Sequence, residues 1–290
     1  MSRPDRITKV IVDGDVLVYR AAFSTQDRDV EIKLKEYEDP TDLSVVRGYL
    51  NRFKGDVKYI GKSDSPDTYV YHITPSPEEA EKVLDQIMDY TIGKTVVFPH
   101  GNNFYCWLTG KGNFRYDIAK TEEYKANRRD TIKPTHYQHC RDYLQSQWAA
   151  QVTEGCEADD AISIEAYKGD MSSTVIVSVD KDFDTVPCWR YNFVKDEFIE
   201  NTPESALRFF YEQVLTGDRV DNIPGIHGIG PKKAQKLLGD ATTEEELFRK
   251  CLDAYEGDYE RVVENGRLLH LQQWEGELWE PPKGVTSGQD

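Results

Sequence analysis

The apolar run Ile7-Thr-Lys-Val-Ile-Val12 stops at Asp13, which predicts a buried strand that ends on an acid. Leu17 to Phe23 should begin a helix. Residues 24–76 turn polar, rich in Asp, Lys and Tyr, with alternation near Thr68 to Ile73; they read as an inserted excursion built around a hairpin. Pro77 followed by Glu78 and Glu79 opens a helix expected to run to about Thr91 and to be closed by Gly93, because proline and acids both suit a helix N-terminus. Thr95 to Phe98 reads as a second strand, Thr135 to Ala150 and Ala158 to Tyr167 as helices, and Thr174 to Val179 as the clearest strand. Pro203 to Thr216 is helical, and the remainder is helical to about His270, with a loose tail from Pro281 to Asp290. Strands alternating with helices predict an α/β fold with a mostly parallel sheet covered on both faces. Ligands of such sheets collect beyond the carboxyl ends of the strands. The expected domains are 1–200, with 24–76 inserted, and a helical region over 201–280, with 281–290 as the tail.

The acids stand where that architecture would gather them. They are Asp13, then Glu157, Asp159 and Asp160, then Asp180 and Asp182, then Asp218 and Asp221. Each cluster has a local alternative: an Asp-Gly turn at Asp13-Gly14-Asp15, or acids favouring a helix N-terminus at Glu157 to Asp160. Brought into one cleft, however, so many carboxylates would raise one another's pKa values unless cations sat among them. Hard divalent ions take oxygen ligands, and a pair of them is the usual apparatus for cleaving a phosphodiester.

Charge sharpens this picture. Among 290 residues Lys plus Arg number 36 and Asp plus Glu 52, a net charge of −16. That is the wrong sign for a protein that simply coats nucleic acid, so any positive contact must be local. Two local sources stand out. Tyr124-Lys-Ala-Asn-Arg-Arg129 is a basic island that would clamp phosphate through Lys125, Arg128 and Arg129, with Tyr124 able to stack on a base. Ile223-Pro-Gly-Ile-His-Gly-Ile-Gly-Pro-Lys-Lys-Ala234 has the spacing of a helix-hairpin-helix. Its Gly225, Gly228 and Gly230 let backbone N–H groups approach a phosphate, and Lys232 and Lys233 add charge.

The five cysteines are odd in number and lack C-x-x-C spacing, so disulfides and a zinc site are not expected and a reducing compartment is. The first apolar run already holds Asp13 and Asp15, unlike a signal peptide, and no run approaches the ~20 residues of a membrane helix. A cytoplasmic protein without membrane partners is the expectation, in the host cytoplasm if phage-encoded.

In their order, Asp13-Gly14-Asp15, Tyr124 to Arg128, Glu157 to Asp160, Ser178 to Asp182 and Gly217 to Ala234 resemble the 5′-nuclease (flap endonuclease) family. The resemblance is to the 5′→3′ exonuclease domain of bacterial DNA polymerase I and, more closely, to phage 5′→3′ exonucleases. It implies a PIN-like α/β fold and two-metal hydrolysis of DNA at 5′ ends, nicks or flaps, in phage DNA replication or degradation. It implies two magnesium ions, replaceable by manganese, one drawing on Asp13, Glu157, Asp159 and Asp160 and the other on Asp180, Asp182, Asp218 and Asp221. Lys125 and Arg128 match positions that contact the scissile phosphate, and potassium would bind near Ile226 and Ile229. RNA–DNA hybrids and replication proteins are the further partners it implies. The family carries an aspartate just after its second strand; here Pro99, His100, Gly101 and Asn102 follow Phe98, so His100, Asn102 or water would stand in its place, and His100 and Asp15 are the candidates for the metal shell. The stretch from Arg128 to Glu157 is short for a full threading arch.

Two other classes compete. A haloacid-dehalogenase-type phosphatase would use Asp13, Asp15 and Gly217-Asp218-x-x-Asp221 but leaves Glu157 to Asp160 and the hairpin lysines unexplained. A noncatalytic DNA-structure-binding protein of the same fold would account for the absent second-strand acid.

Overall fold

The computed structural model describes residues 4–51, 53–95 and 103–284. Its elements in chain order are β1 Lys9–Asp13, α1 Gly14–Ser24, β2 Arg28–Lys33, α2 Leu43–Tyr49, β3 Gly55–Lys62, β4 Thr68–Pro75, α3 Pro77–Thr95, β5 Phe104–Lys111, α4 Arg115–Ile118, α5 Tyr137–Gln147 and β6 Gln151–Glu154. They continue with α6 Ala158–Tyr167, β7 Thr174–Val177, β8 Trp189–Asn192, β9 Glu197–Glu200, α7 Pro203–Thr216, the short pair β10 Gly217–Asp218 and β11 Ile223–Pro224, then α8 Pro231–Leu238, α9 Glu244–Ala254 and α10 Tyr259–Leu269.

Two compact units result. One comprises residues 1–14, 91–131 and 150–290, the other 15–90 and 132–149. The first is built on a six-stranded sheet of order β6-β5-β1-β7-β8-β9, parallel except for the last pair. Its central strands read as continuous apolar runs because both faces are covered: Val10, Ile11 and Val12 in β1 and Val175, Ile176 and Val177 in β7 are all buried. Ala158, Ile162 and Ala166 of α6 pack over Ile11 and Ile176. The helices after residue 200 group with this sheet rather than apart from it. Phe210, Val214 and Leu238 share their core with Phe248, Val262 and Trp279.

The second unit corrects the reading of residues 24–76. They form a three-stranded antiparallel sheet of order β2-β4-β3 covered by α2, with Ile32, Val46, Val57, Tyr71 and Ile73 as its core. Only the β3–β4 hairpin was visible as alternation. Gly93 does not close α3, which continues to Thr95; the Thr95 hydroxyl donates to the Thr91 carbonyl at 2.7 Å and caps that last turn instead. The strand expected at Thr95 to Phe98 meets the end of α3 and then leaves the described residues. The strand beside β1 is β5, whose Cys106 and Leu108 are buried. Among the described residues no helix is long and apolar enough to cross a membrane.

The residues after α10 are held by aromatic packing. Trp279 lies against Phe210 and Phe248 at ring separations of 5.5 and 6.2 Å. A methyl group on Gly266 would come within 2.3 Å of the Trp279 ring. Gly266→Ala should therefore cost about 1–3 kcal/mol, as overpacking does, read as a lower urea midpoint. An unchanged midpoint would show that Trp279 is not held there.

Candidate active site

The acids come together because strand ends and helix starts converge at one end of the first unit's sheet. Asp13 ends β1 and is 2% exposed; the Ser178 hydroxyl, just past β7, donates to its Oδ2 at 2.7 Å. The turn after Ser178 is self-capped: the Asp180 N–H donates to Ser178 Oγ at 3.0 Å and the Asp182 N–H to Asp180 Oδ1 at 2.9 Å. Asp184 anchors this turn from behind through a two-bond fork from Arg190, at 2.7 and 2.9 Å. Gln213 of α7 donates to Asp182 Oδ1 at 2.7 Å, while its own buried Oε1 meets no partner among the described residues. Asp218 receives the Val220 N–H at 2.7 Å.

The basic island is stitched into the same place. Lys125 has a left-handed backbone, φ 54°, and its N–H donates to the Asp221 carbonyl at 2.9 Å. Its ammonium forms an ion pair with Glu157 and lies 3.4 Å from Asp221 Oδ2. Arg128 pairs with Asp221 Oδ1 at 2.6 Å and is half-exposed. Arg129 points away, to Glu123, in an exposed pair.

Electrostatics shows which acids feel one another. Burial first, then Asp13, Glu157 and Asp180, push Asp159 well above the usual carboxylate range, with Lys125 offsetting only part. Among the described residues no hydrogen-bond donor reaches the Asp159 carboxylate; it is partly open to solvent yet densely surrounded. Asp182 is pushed up to about 7 by burial and then by Asp180, Asp218 and Asp221. Burial raises Asp221 as well, against the pull of Lys125. Glu157 goes the other way: burial would raise it, but Lys125 and then Arg115 outweigh burial and hold it low. Asp180 thus belongs to both groups, one around Asp159 and one around Asp182.

This donor set suits hard divalent cations. It is all carboxylate oxygen, negatively overloaded, and lined by the orphaned Gln213 Oε1. Among the described residues no three acids, histidines or cysteines lie at coordination distance of a common point. Lys125 stands as a cation beside Glu157 and Asp221.

Several expectations change. Tyr124 is 2% exposed and cannot stack on a base; its hydroxyl lies 2.7 Å from Glu157 Oε2 and 2.8 Å from Asp221 Oδ2, fixing two acids at once. Asp160 is fully buried and its four acceptor positions are engaged, two by Arg115 at 2.6 and 2.8 Å and two by the N–H groups of Glu157 and Gln272, both at 3.2 Å. No lone pair is left for a metal. Asp15 pairs with Arg141 at 2.8 Å within the second unit. His100 lies outside the described residues. Thr109 stands at the site end of β5, two residues past the partner of Asp13, and its hydroxyl accepts the Ala158 N–H at 2.9 Å. Arg115 and Gln213 escaped the sequence reading because a lone arginine and a lone glutamine carry no motif.

The hairpin forms as the glycines require. Gly228 has φ +76°, and a methyl on Gly225 would meet the Thr216 carbonyl carbon at 2.1 Å. Lys232 is exposed at the start of α8, whereas Lys233 donates back to the Gly228 carbonyl at 2.8 Å and closes the turn. Ile226 and Ile229 are linked by an N–H···O bond of 3.0 Å and pack on the helical core.

No family model matches the chain. It is 36% identical over 105 residues to the flap endonuclease Xni of Shewanella frigidimarina, 32% of this chain and 41% of that one. With the flap endonuclease Xni of Vibrio cholerae it shares 28% over 197 residues, 61% and 71% of the two chains. With DNA polymerase I of Caldicellulosiruptor bescii it shares 32% over 171 residues, 51% of this chain and 20% of that one. The chain resembles the 5′-nuclease family. It spans between a tenth and a fifth of the length of the DNA polymerase I proteins from Rhizobium leguminosarum and Caldicellulosiruptor bescii. The fold matches that of bacteriophage T5 5′-exonuclease with zinc bound, at a TM-score of 0.53 and 18% identity, over 91% of this chain and 89% of that one. A complex of T5 flap endonuclease with DNA and metal ions matches equally, at 0.53 and 17% identity, over 90% and 88%.

The raised acids give a stability signature. A carboxylate with a folded pKa above its unfolded value makes the native state hold protons longer, so stability falls as pH rises from about 4 to about 7 for Asp182. Calcium should therefore raise the melting temperature more at pH 8 than at pH 5, by roughly a few degrees, and Asp182→Asn should shrink that difference. Equal shifts at both pH values would show that the acids do not share a cation.

Proposed function

We propose that this protein is a structure-specific 5′→3′ DNA nuclease that hydrolyses phosphodiester bonds at 5′ ends, nicks or flaps with two divalent ions, magnesium foremost. The reading is carried by one observation: the acids around Asp159, namely Asp13, Glu157 and Asp180, and those around Asp182, namely Asp180, Asp218 and Asp221, meet at Asp180, with Lys125 paired to Glu157 and 3.4 Å from Asp221. Asp13, Glu157, Asp159 and Asp180 would hold one ion, and Asp180, Asp182, Asp218 and Asp221 the other. When bound, the ions supply Lewis acidity and an activated water. The protein's own groups do the rest. Lys125, relieved of neutralising Glu157 and Asp221, offsets charge developing on the scissile phosphate, assisted by Arg128. Tyr124 and Gln213 hold acids in place, and Lys232 with the start of α8 grips duplex phosphate away from the cut. A potassium ion on the carbonyls near Ile226 and Ile229 would extend that grip. The buried, fully bonded Asp160 is left out of coordination.

End-labelled flap, nicked, blunt and RNA–DNA substrates digested in magnesium, with calcium as the inactive control, test the reading. Products growing from the 5′ side of DNA are expected; a protein that binds all of them and cuts none would be a noncatalytic binder. Asp182→Asn should lower cleavage by roughly 10²-fold while binding in calcium survives. Lys125→Ala should lower the single-turnover rate more than affinity, whereas Lys232→Ala with Lys233→Ala should weaken binding and flatten its salt dependence. Equal loss of affinity in both, with the saturated rate intact, would remove Lys125 from the chemistry.

A further inference from the structure

Arg115 is 2% exposed, the largest of the fully buried side chains, and lies 3.8 Å from Glu157, whose carboxyl it helps to hold low. A charge is buried at such cost only when its bonds are complete. Arg115 forks onto both oxygens of Asp160, its Nε donates to the Leu268 carbonyl at 2.9 Å, and a second hydrogen on its Nη2 reaches the His270 carbonyl at 2.8 Å. Asp160 returns the favour in both directions: one oxygen accepts the Glu157 N–H, where α6 begins, and the other accepts the Gln272 N–H. One buried pair therefore ties two pieces of chain that are over a hundred residues apart in sequence. One is the start of α6, which carries Glu157 and Asp159. The other is the segment leaving α10, whose Gln272 side chain donates to the Glu277 carbonyl at 2.7 Å and whose Trp279 is sunk in the helical core.

We propose that Arg115 is a positioning residue that sets the metal affinity of the site, by clamping the acid-bearing start of α6 to the segment 268–272 through Asp160. The segment after α10 is then part of the metal site without supplying a ligand. A lysine cannot replace Arg115, because donors on a single nitrogen cannot span two carboxylate oxygens and two carbonyls at once. Loosening the clamp leaves every acid present but less well placed, and losses of this outer-shell kind cost about 10–100-fold in metal affinity.

The proposal rests on the nuclease reading only for its activity arm. Manganese is titrated calorimetrically into DNA-free protein, and exchange of the Glu157 and Gln272 amide hydrogens is followed, for the wild type, Arg115→Lys and Gln272→Pro. Gln272→Pro removes one N–H from Asp160 and leaves the buried charges paired, so it serves if Arg115→Lys does not fold. Manganese should bind about tenfold more weakly to Arg115→Lys and a few-fold more weakly to Gln272→Pro. In Arg115→Lys both amides should exchange faster; in Gln272→Pro the Glu157 amide alone reports. Saturating manganese should restore the single-turnover rate to within about threefold of the wild type. Unchanged manganese affinity in a folded variant overturns the proposal. So does a rate that saturating manganese fails to restore, which would place Arg115 against the substrate. A wild type that binds manganese and cleaves no DNA would sink the nuclease reading, and the affinity comparison would still decide the role of Arg115.

Discussion

Mutual repulsion among carboxylates at the end of the parallel sheet is the constraint on which the rest of this unit depends. Asp159 and Asp182 are each raised by burial and by three neighbouring acids, so every negative charge placed there works against the others. A fold can hold that arrangement only if other contacts fix the backbone beneath it. Here β1 and β7, buried on both faces, carry Asp13 and Ser178, and the Arg190–Asp184 fork braces the turn that presents Asp180 and Asp182.

Three cations divide the remaining electrostatic work according to burial. Arg115 is sealed with Asp160 and serves architecture. Lys125 is largely buried between Glu157 and Asp221, where a divalent ion would compete with it directly. Arg128 is half-exposed and so remains available to a ligand arriving from solvent. The left-handed backbone at Lys125 is costly for a residue with a Cβ, and the N–H bond to Asp221 together with the stitching of Asn127 to the Arg219 carbonyl holds it there.

On the proposed reading, a chain of net charge −16 has to engage a polyanion through local positive groups. Most of its surface repels nucleic acid. On the proposed nuclease reading, contact would fall to Lys125 and Arg128 at the acids and to the glycine-rich turn before α8.

The sequence by itself determined the elements whose signals are local. β1, α6, β7 and α7 follow from apolar runs bounded by acids or proline, and the helix-hairpin-helix follows from glycine spacing that few other turns satisfy. The acids that face one another were legible as well, because strand ends in a parallel sheet converge. What tertiary structure decided was partnership. Asp160 and Asp159 are neighbours of the same type, yet one is saturated by Arg115 and two N–H groups while the other meets no donor among the described residues, and only packing around α6 and α10 tells them apart. Tyr124 looked like an edge aromatic and is instead buried between Glu157 and Asp221. Residues 24–76 and β5 were misjudged because charged, half-exposed strands and a strand of mixed aromatic and polar residues obey pairing with distant partners, which no local pattern encodes.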